Sequence, residues 1–242
     1  MAIKTILFDL DGTLLPMDQE EFTRYYFRLL ARKAAPLGYE PKHFTDGIWA
    51  GTAAMIRNDG SRLNCDAFWD KFSEIFGEGA LKDKPLFDEF YEKEFQQARS
   101  ICGHALEARQ VIDLCRNLEY QTVLATNPLF PAVATESRIR WAGLDPAAFT
   151  LYTTYENSHY CKPNPDYYRE ILEKLGYAPQ ECAMVGNDVE EDIVAATSLG
   201  MKAFLLTDCL INTKDRDISV YAHGSFPELM SWLVYIKLGT EV

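Results

Sequence analysis

Basic side chains are scarce in this sequence. The 242 residues include 24 lysines and arginines against 36 aspartates and glutamates, so the formal net charge is −12. An acidic surface repels nucleic-acid phosphates and anionic lipid, and we therefore expect neither nucleic acid nor a membrane as a partner. A small anionic substrate stays compatible with this charge, because a bound metal ion and one lysine can reverse the field locally.

Metal-ligand spacings and long apolar runs are also missing. The six cysteines form no CxxC pair and no Cys/His spacing, which argues against a zinc site or a dense disulfide framework. The first residues, MAIKTILFDLDG, form an apolar run that is too short for a signal peptide and is interrupted by acids. No stretch approaches the roughly 18 apolar residues of a membrane span. We expect a cytoplasmic protein, either a monomer or a homodimer.

Short apolar runs that end in polar turn residues recur along the chain. They predict strands at residues 3–10, 122–126, 183–186 and 203–207, with a weaker candidate at 149–155. Three- and four-residue apolar spacing predicts helices between them, at 104–118, 131–142, 165–175 and 190–199. Continuous apolar strands that alternate with helices indicate the α/β class, with a doubly wound parallel sheet covered on both faces.

Residues 16–98 break this alternation. They are rich in aromatic and charged residues, and they contain helix-like stretches at 18–35, 42–57, 65–77 and 84–98 without a convincing strand. We therefore predict a mostly helical insert of residues 16–98. The predicted α/β core consists of residues 1–15 and 99–242.

Polar groups stand at or just past the ends of several predicted core strands. Four segments share this property: Asp9-Leu10-Asp11-Gly12-Thr13, Thr126-Asn127, Lys162 in CKPNPDYY, and Gly186-Asn187-Asp188 with Asp192. Ligands of open α/β sheets bind outside the carboxyl ends of the strands. Because these ends lie side by side in a parallel sheet, the four segments are expected to converge on one site.

The residue types in these segments suit phosphoryl transfer. In an extended segment Asp9 and Asp11 face the same side, so one carboxylate can act as nucleophile and the other as acid or base. Two carboxylates facing a phosphate would repel it unless a hard cation such as Mg²⁺ intervened. Asp188 and Asp192 supply further carboxylates for that cation.

Other groups in the same segments can hold the phosphate. Thr126 offers a hydroxyl, and the turn at Asn127 offers backbone N–H groups. Lys162 offers a positive charge that neutralises the phosphate or orients Asp9. Gly12 permits a tight turn beside the nucleophile. Each segment alone has an ordinary structural interpretation, and it is the order of all four on strand ends that indicates function.

In this order the motifs resemble the haloacid dehalogenase superfamily of hydrolases. The match covers residues 1–15 and 100–215, with DLDGT after the first strand, Thr-Asn after the second, Lys-Pro before a helix and an acidic cluster after a further strand. The resemblance implies a Rossmann-like core, into which a helical cap of the C1 type is inserted. Residues 16–98 have the place and character of this cap.

The resemblance also implies a role for each residue. Asp9 is then the nucleophile that forms an aspartyl-phosphate, and Asp11 is the general acid and base. Thr126 and Lys162 orient the phosphate, with Gly12 and Asn127 beside them.

Mg²⁺ is the implied cofactor. Its ligands are Asp9, the Asp11 carbonyl and Asp188, and Asp192 supports the metal or Lys162. Many relatives have Gly-Asp where this chain has Gly186-Asn187, which leaves open which of Asn187, Asp188 and Asp192 touches the metal.

The predicted activity is hydrolysis of a small phosphorylated metabolite. Asp11 favours phosphate over carbon–halogen chemistry, since dehalogenating members lack this acid. A phosphomutase and a non-enzymatic phospho-accepting or binding protein stay open as alternatives. Two features of the insert bear on the substrate. Arg24, Arg28 and Arg32 form a stripe that is either solvated or contacts an anionic substrate, and residues 45–57 form either a pocket surface or part of the apolar core.

Overall fold

The computed structural model of the chain describes residues 2–239, so the outermost residues of the predicted core, 1 and 240–242, lie outside it. The strands are β1 Thr5–Phe8, β2 Gln121–Leu124, β3 Leu151–Tyr152, β4 Cys182–Gly186, β5 Lys202–Leu206 and β6 Ala222–Gly224. The helices are α1 Gln19–Ala34, α2 Pro41–Ile56, α3 Asn64–Phe76, α4 Lys84–Glu92, α5 Leu106–Asn117, α6 Ala132–Trp141, α7 Pro165–Leu175, α8 Ala195–Thr197 and α9 Phe226–Leu238.

The strands form one parallel sheet in the order β3-β2-β1-β4-β5-β6. Every residue of β1 and β4 is buried, as expected when helices cover both faces of a parallel sheet. The predicted α/β class and the doubly wound, Rossmann-like core are therefore confirmed. Each predicted strand is present, although β1 is shorter than the predicted run because the chain turns after Phe8.

Helix termini follow local signals in the sequence. Helix α7 begins at Pro165 after the N-cap Asn164, whose side chain accepts a hydrogen bond from the Asp166 N–H. It ends at Leu175, where Gly176 adopts a left-handed conformation with φ 70°. None of the helices in the described part of the chain is long and apolar enough to cross a bilayer.

The structure differs from the sequence prediction in two parts of the core. Strand β6, Ala222-His223-Gly224, does not lie in an apolar run that would predict a strand, and helix α9 follows it at the edge of the sheet. The predicted helix at 190–199 is wound differently, since residues Val189–Val194 form a π-helix before the short α8. Such π-helical turns are often found at functional sites.

The insert is helical, as predicted. Its described residues contain no strand, and it is formed by helices α1 to α4 and three 3₁₀ segments, Ala35–Leu37, Glu78–Asp83 and Glu94–Ile101, the last of which ends beyond it. Its apolar side chains nevertheless join the core of the sheet. The Phe22 and Phe130 rings are 6.4 Å apart, and the Phe95 and Trp141 rings are 5.1 Å apart. Because these contacts are continuous, the boundary of the insert as a separate domain stays a prediction.

Candidate active site

The polar segments after three strands meet at the carboxyl edge of the sheet. Strand β1 lies between β2 and β4, so Asp9, Thr126 and Asp188 come from neighbouring strand ends. They line one cavity of about 200 Å³. We call it the acidic cavity, and its lining residues are Asp9, Asp11, Met17, Gln19, Phe22, Thr23, Thr126, Asn127, Leu129, Phe130, Asn187, Asp188, Glu191 and Asp192. The convergence predicted from the sequence is therefore observed for these three segments, while Lys162 of the fourth does not line the cavity.

A buried lysine joins two carboxylates of this site. The Lys162 Nζ donates to Asp9 Oδ1 at 2.9 Å and to Asp192 Oδ1 at 2.6 Å. Only 1% of the Lys162 side chain and 10% of the Asp9 side chain are exposed. The second Asp192 oxygen accepts from the Asp188 N–H at 3.0 Å. Both Asp192 oxygens are thus occupied, and its contacts match the expected support of Lys162.

The charge on Lys162 is held by its neighbours. Burial is the largest effect and lowers the pKa of Lys162, but the nearby Asp192 and Asp9 together raise this pKa well above its ordinary value. Burial raises the pKa of Asp192, and the charge of Lys162 opposes that rise. Because two carboxylates face one ammonium group, Lys162 stays positively charged and holds one Asp9 oxygen in place.

Asp11 is paired with an arginine that the sequence analysis did not select. Its Oδ2 accepts from the Arg138 guanidinium, which is fully buried and lies over the Phe130 ring at 4.3 Å. The other oxygen, Asp11 Oδ1, is buried and has no hydrogen-bond partner among the described residues. Burial raises the pKa of Asp11, and the Arg138 charge opposes this rise. One face of this carboxyl group is therefore fixed, and the other is left for a ligand.

The sequence spacing around Arg138 indicates that this arginine lies on the buried face of helix α6. Ala134, Arg138 and Trp141 follow at four- and three-residue intervals on helix α6, and all three are buried. An arginine on the apolar stripe of a helix needs a buried acceptor, because an unpaired internal charge is very costly. The position of Arg138 on that stripe thus indicates an acidic partner.

The turn after Asp11 is closely packed. Gly12 has φ 87°, and a Cβ atom at this position would approach Asn187 Nδ2 to 2.4 Å. The Thr13 hydroxyl lies 3.2 Å from Asp9 Oδ2 and 3.0 Å from Asn187 Oδ1, so its single proton can serve either acceptor. Asn187 also donates to the Cys209 carbonyl at 2.7 Å. Its side chain is thereby fully engaged in supporting the turn.

Asp188 is the N-cap of the π-helix that follows β4. Its Oδ1 accepts from the Glu190 and Glu191 N–H groups, each at 2.8 Å, so this oxygen caps the helix. Burial raises the pKa of Asp188, while those N–H groups lower it. Glu191, a further acid that the sequence analysis missed, accepts from Asn127 at 3.1 Å.

Helix α7 ties the lysine loop to the other strand ends. The Tyr167 hydroxyl donates to the Thr126 carbonyl at 2.9 Å, and the Tyr168 hydroxyl donates to the Glu191 carbonyl at 2.9 Å. Both tyrosines are buried, and the Lys162–Pro163 peptide bond before them is cis. The CKPNPDYY segment therefore supplies the lysine and also anchors the neighbouring loops.

The donor set of the site suits a hard divalent cation. Asp9, Asp188 and the Asp11 carbonyl supply oxygen atoms, and the buried Asp11 Oδ1 is a further oxygen without a protein partner. In the described chain no three acidic, histidine or cysteine side chains converge as a ready metal cage. Mg²⁺ does not require one, because it commonly keeps several waters and uses one or two carboxylates together with a substrate phosphate.

Comparison with known proteins establishes the family. Residues 3–200 match the sequence model of the haloacid dehalogenase-like hydrolase family, and the chain therefore belongs to that family. The resemblance seen in its motifs is confirmed. The chain is 38% identical to a glyceraldehyde 3-phosphate phosphatase of Methanothermobacter thermautotrophicus over 69 residues. This matched stretch covers 28% of this chain and 30% of that protein. The matches span less than a third of the length of the curated relatives.

Solved structures share the fold over nearly the whole chain. A HAD phosphatase from Thermococcus onnurineus aligns with a TM-score of 0.59 at 21% identity, over 96% of this chain and 98% of that chain. A 2-haloacid dehalogenase from Pseudomonas syringae pv. Tomato DC3000 aligns with a TM-score of 0.63, also at 21% identity and the same coverage. At this level of identity the likeness concerns the fold alone.

Proposed function

We propose that the chain is a magnesium-dependent phosphomonoester hydrolase that forms an aspartyl-phosphate on Asp9. The observation that carries this proposal is the fixed Asp9 carboxylate in the wall of the acidic cavity. Lys162 holds one of its oxygens at 2.9 Å, and the Thr13 hydroxyl lies 3.2 Å from the other. A carboxylate positioned in this way is a suitable nucleophile for phosphorus.

In the first proposed step, an Asp9 oxygen attacks the phosphorus atom and the ester P–O bond breaks. Asp11 gives a proton to the departing alcohol oxygen. In the second step Asp11 takes a proton from water, and the resulting hydroxide attacks the phosphorus of the aspartyl-phosphate, which releases phosphate and restores Asp9. Burial raises the pKa of Asp11, which favours the protonated form that the first step needs.

The surrounding groups serve the transferred phosphoryl group. Lys162 supplies positive charge, and Thr126 and the backbone at Asn127 supply hydrogen-bond donors for its oxygens. Mg²⁺, held by Asp9, the Asp11 carbonyl and Asp188, would neutralise charge between the carboxylates and the phosphate. Asp192 orients Lys162, in accord with its 2.6 Å contact. The helical insert acts as a C1-type cap above this site.

The substrate of this proposal is a small phosphorylated metabolite in the cytoplasm. A 2-haloacid dehalogenase has the same fold, but Asp11 favours phosphate chemistry, since a second carboxyl group beside the nucleophile can protonate the departing alcohol. The mutase and phospho-accepting alternatives use the same carboxylate. They differ in where the phosphoryl group goes, and only a measurement of products separates them.

The deciding experiment measures phosphate release from a generic aryl phosphate and a set of metabolite phosphates, with and without Mg²⁺. Wild type should be active with Mg²⁺, and Asp9→Asn should lose at least about a thousandfold, because the residue that forms the intermediate is removed. A folded wild type that releases no phosphate from any ester would contradict the proposal. Phosphate that returns to the substrate indicates a mutase, and a long-lived acyl-phosphate indicates a phospho-accepting protein.

A further inference from the structure

A second cavity, of about 110 Å³, adjoins the acidic cavity. Helices α1 to α4 supply most of its wall. We call it the aromatic cavity, and its lining residues are Thr23, Tyr26, Phe27, Ile48, Trp49, Thr52, Phe68, Trp69, Phe87, Tyr91, Leu129, Phe130 and Tyr155. Nine of these described residues are aromatic and none is charged. The proposed mechanism uses none of these side chains.

The two cavities share part of their lining. Thr23, Leu129 and Phe130 line both of them. Leu129 and Phe130 follow directly on the proposed phosphate loop, Thr126-Asn127, and the Leu129 N–H donates to the Asn127 carbonyl at 2.8 Å. A phosphate held at this loop would therefore place its ester substituent beside Leu129 and Phe130, where the aromatic cavity begins.

We infer that the aromatic cavity binds the alcohol part of the substrate, and that this part is one aromatic ring or a branched hydrocarbon group of similar size. The inference rests on the proposed function of the acidic cavity. A dry, apolar cavity of about 150 Å³ in another protein binds benzene, so a cavity of about 110 Å³ suits a single small ring. Aromatic walls favour such a ring through stacked and edge-on contacts.

The polar atoms in the wall offer little to a sugar or a second charged group. The Tyr26 and Tyr91 hydroxyls hydrogen-bond to each other at 2.8 Å, and the Thr52 hydroxyl donates to the Ile48 carbonyl at 3.0 Å. A substrate hydroxyl that enters such a wall loses its water and meets few polar partners among the rings, and a charged group loses far more. The cavity therefore discriminates against substrates with polar alcohol parts.

Helix α2 supplies the side of this cavity that reaches solvent. Trp49 is 50% exposed, and its ring packs edge-on to Phe27 with the centroids 4.9 Å apart. Ile48 and Thr52 lie deeper on the same helix and also line the cavity. Within residues 45–57, these three positions thus match the pocket-surface interpretation of that segment. Arg24, Arg28 and Arg32 are exposed and do not line either cavity.

The test compares two esters of primary alcohols, so that the leaving groups are chemically alike. Benzyl phosphate should have a kcat/KM at least about tenfold higher than glycerol 3-phosphate, since apolar pockets discriminate by roughly 10- to 200-fold per small group. Equal values, or a preference for glycerol 3-phosphate, would overturn the inference. Acetyl phosphate, whose substituent is too small to fill the cavity, reports separately on phosphoryl transfer at Asp9.

Helix α2 also provides matched variants. Thr52 and Thr45 are two turns apart, are half-buried and donate to the carbonyl four residues earlier, but only Thr52 lines the cavity. Thr52→Phe should lower kcat/KM for benzyl phosphate about tenfold or more relative to acetyl phosphate, because its ring fills the cavity. Thr45→Phe should keep the wild-type ratio. If Thr52→Phe folds and leaves the ratio of kcat/KM for benzyl phosphate to that for acetyl phosphate unchanged, the inference is contradicted. If Thr52→Phe does not fold, Trp49→Ala takes its place and should lower the same ratio.

A binding measurement keeps the inference testable if the proposed function fails. Absence of hydrolysis of all esters and of acetyl phosphate would count against the function, not against the cavity. The non-hydrolysable 2-phenylethylphosphonate should then still bind at least about tenfold tighter than 3,4-dihydroxybutylphosphonate. Binding can be measured through the fluorescence of Trp49 and Trp69, which line the cavity. Equal affinities, or affinities that Thr52→Phe leaves unchanged, would overturn the inference.

Discussion

The acidic cavity and the aromatic cavity share Thr23, Leu129 and Phe130, yet their walls are stabilised in opposite ways. In the acidic cavity, buried charges are fixed by partners of opposite sign, as Lys162 is by two carboxylates. In the aromatic cavity, the contacts are largely between rings, and the Tyr26, Tyr91 and Thr52 hydroxyls are paired locally. Removal of one partner should therefore be severe in the first region and mild in the second.

The strongest test of this contrast is Lys162→Met. It leaves Asp9 and Asp192 buried without their cation, and we expect a loss of about 3–5 kcal/mol in unfolding free energy, together with loss of phosphate release. Urea denaturation of Lys162→Met, of Asp192→Asn and of the double variant measures the free energy of coupling between the two residues. The double variant should lose clearly less than the sum. Simple additivity would show that the ion pair is not a unit.

Most acidic residues of this first region could be predicted because they lie in short motifs, although Glu191 was not predicted. Asp9 and Asp11 are two residues apart, and Asp188 lies two residues after the end of a buried strand, so local sequence carries the signal. Arg138 could not be predicted from such a motif. Its partner Asp11 lies 127 positions away, and only its place on the apolar stripe of α6 could have indicated the pair.

The aromatic cavity could not be predicted, because its wall is assembled from separate helices. Its residues range from Thr23 to Tyr155 with no fixed spacing, and each aromatic residue also fits an ordinary apolar core. For residues 45–57 the sequence left both interpretations open. In the same way, the parallel core was predicted from strands that lie in apolar runs, whereas β6, Ala222-His223-Gly224, does not lie in such a run.

Arg138 can be compared with Arg140, which lies on the same helix. Arg138 is fully buried and pairs with Asp11, whereas the Arg140 side chain is 58% exposed and pairs with Glu136 at 2.9 Å. We expect Arg138→Met to cost about 2–4 kcal/mol of unfolding free energy. Arg140→Met should cost less than about 1 kcal/mol. Similar costs in thermal or urea denaturation would mean that burial of the pair does not matter.

The close turn of the acidic cavity has its own matched control. Gly12 and Gly38 both have φ 87°, but a Cβ at Gly12 would meet Asn187 at 2.4 Å, while nothing lies within 4 Å of one at Gly38. Gly38→Ala should cost about 1 kcal/mol through backbone strain alone. Gly12→Ala should cost about 1–2 kcal/mol more, because Asn187 must move. Equal denaturation midpoints would show that the turn can relax.

The aromatic cavity should give the smallest effect, and the hydroxyl pair of Tyr26 and Tyr91 provides the test. Tyr26→Phe or Tyr91→Phe alone leaves one buried hydroxyl without its 2.8 Å partner, and each should cost about 1 kcal/mol. The double change to phenylalanine removes both polar groups, and its cost should be no greater than that of either single change. Denaturation of the three variants measures this directly. A double variant that loses about 3–5 kcal/mol, as a broken buried ion pair does, would mean that the aromatic wall depends on its polar contacts as strongly as the acidic cavity depends on its charges.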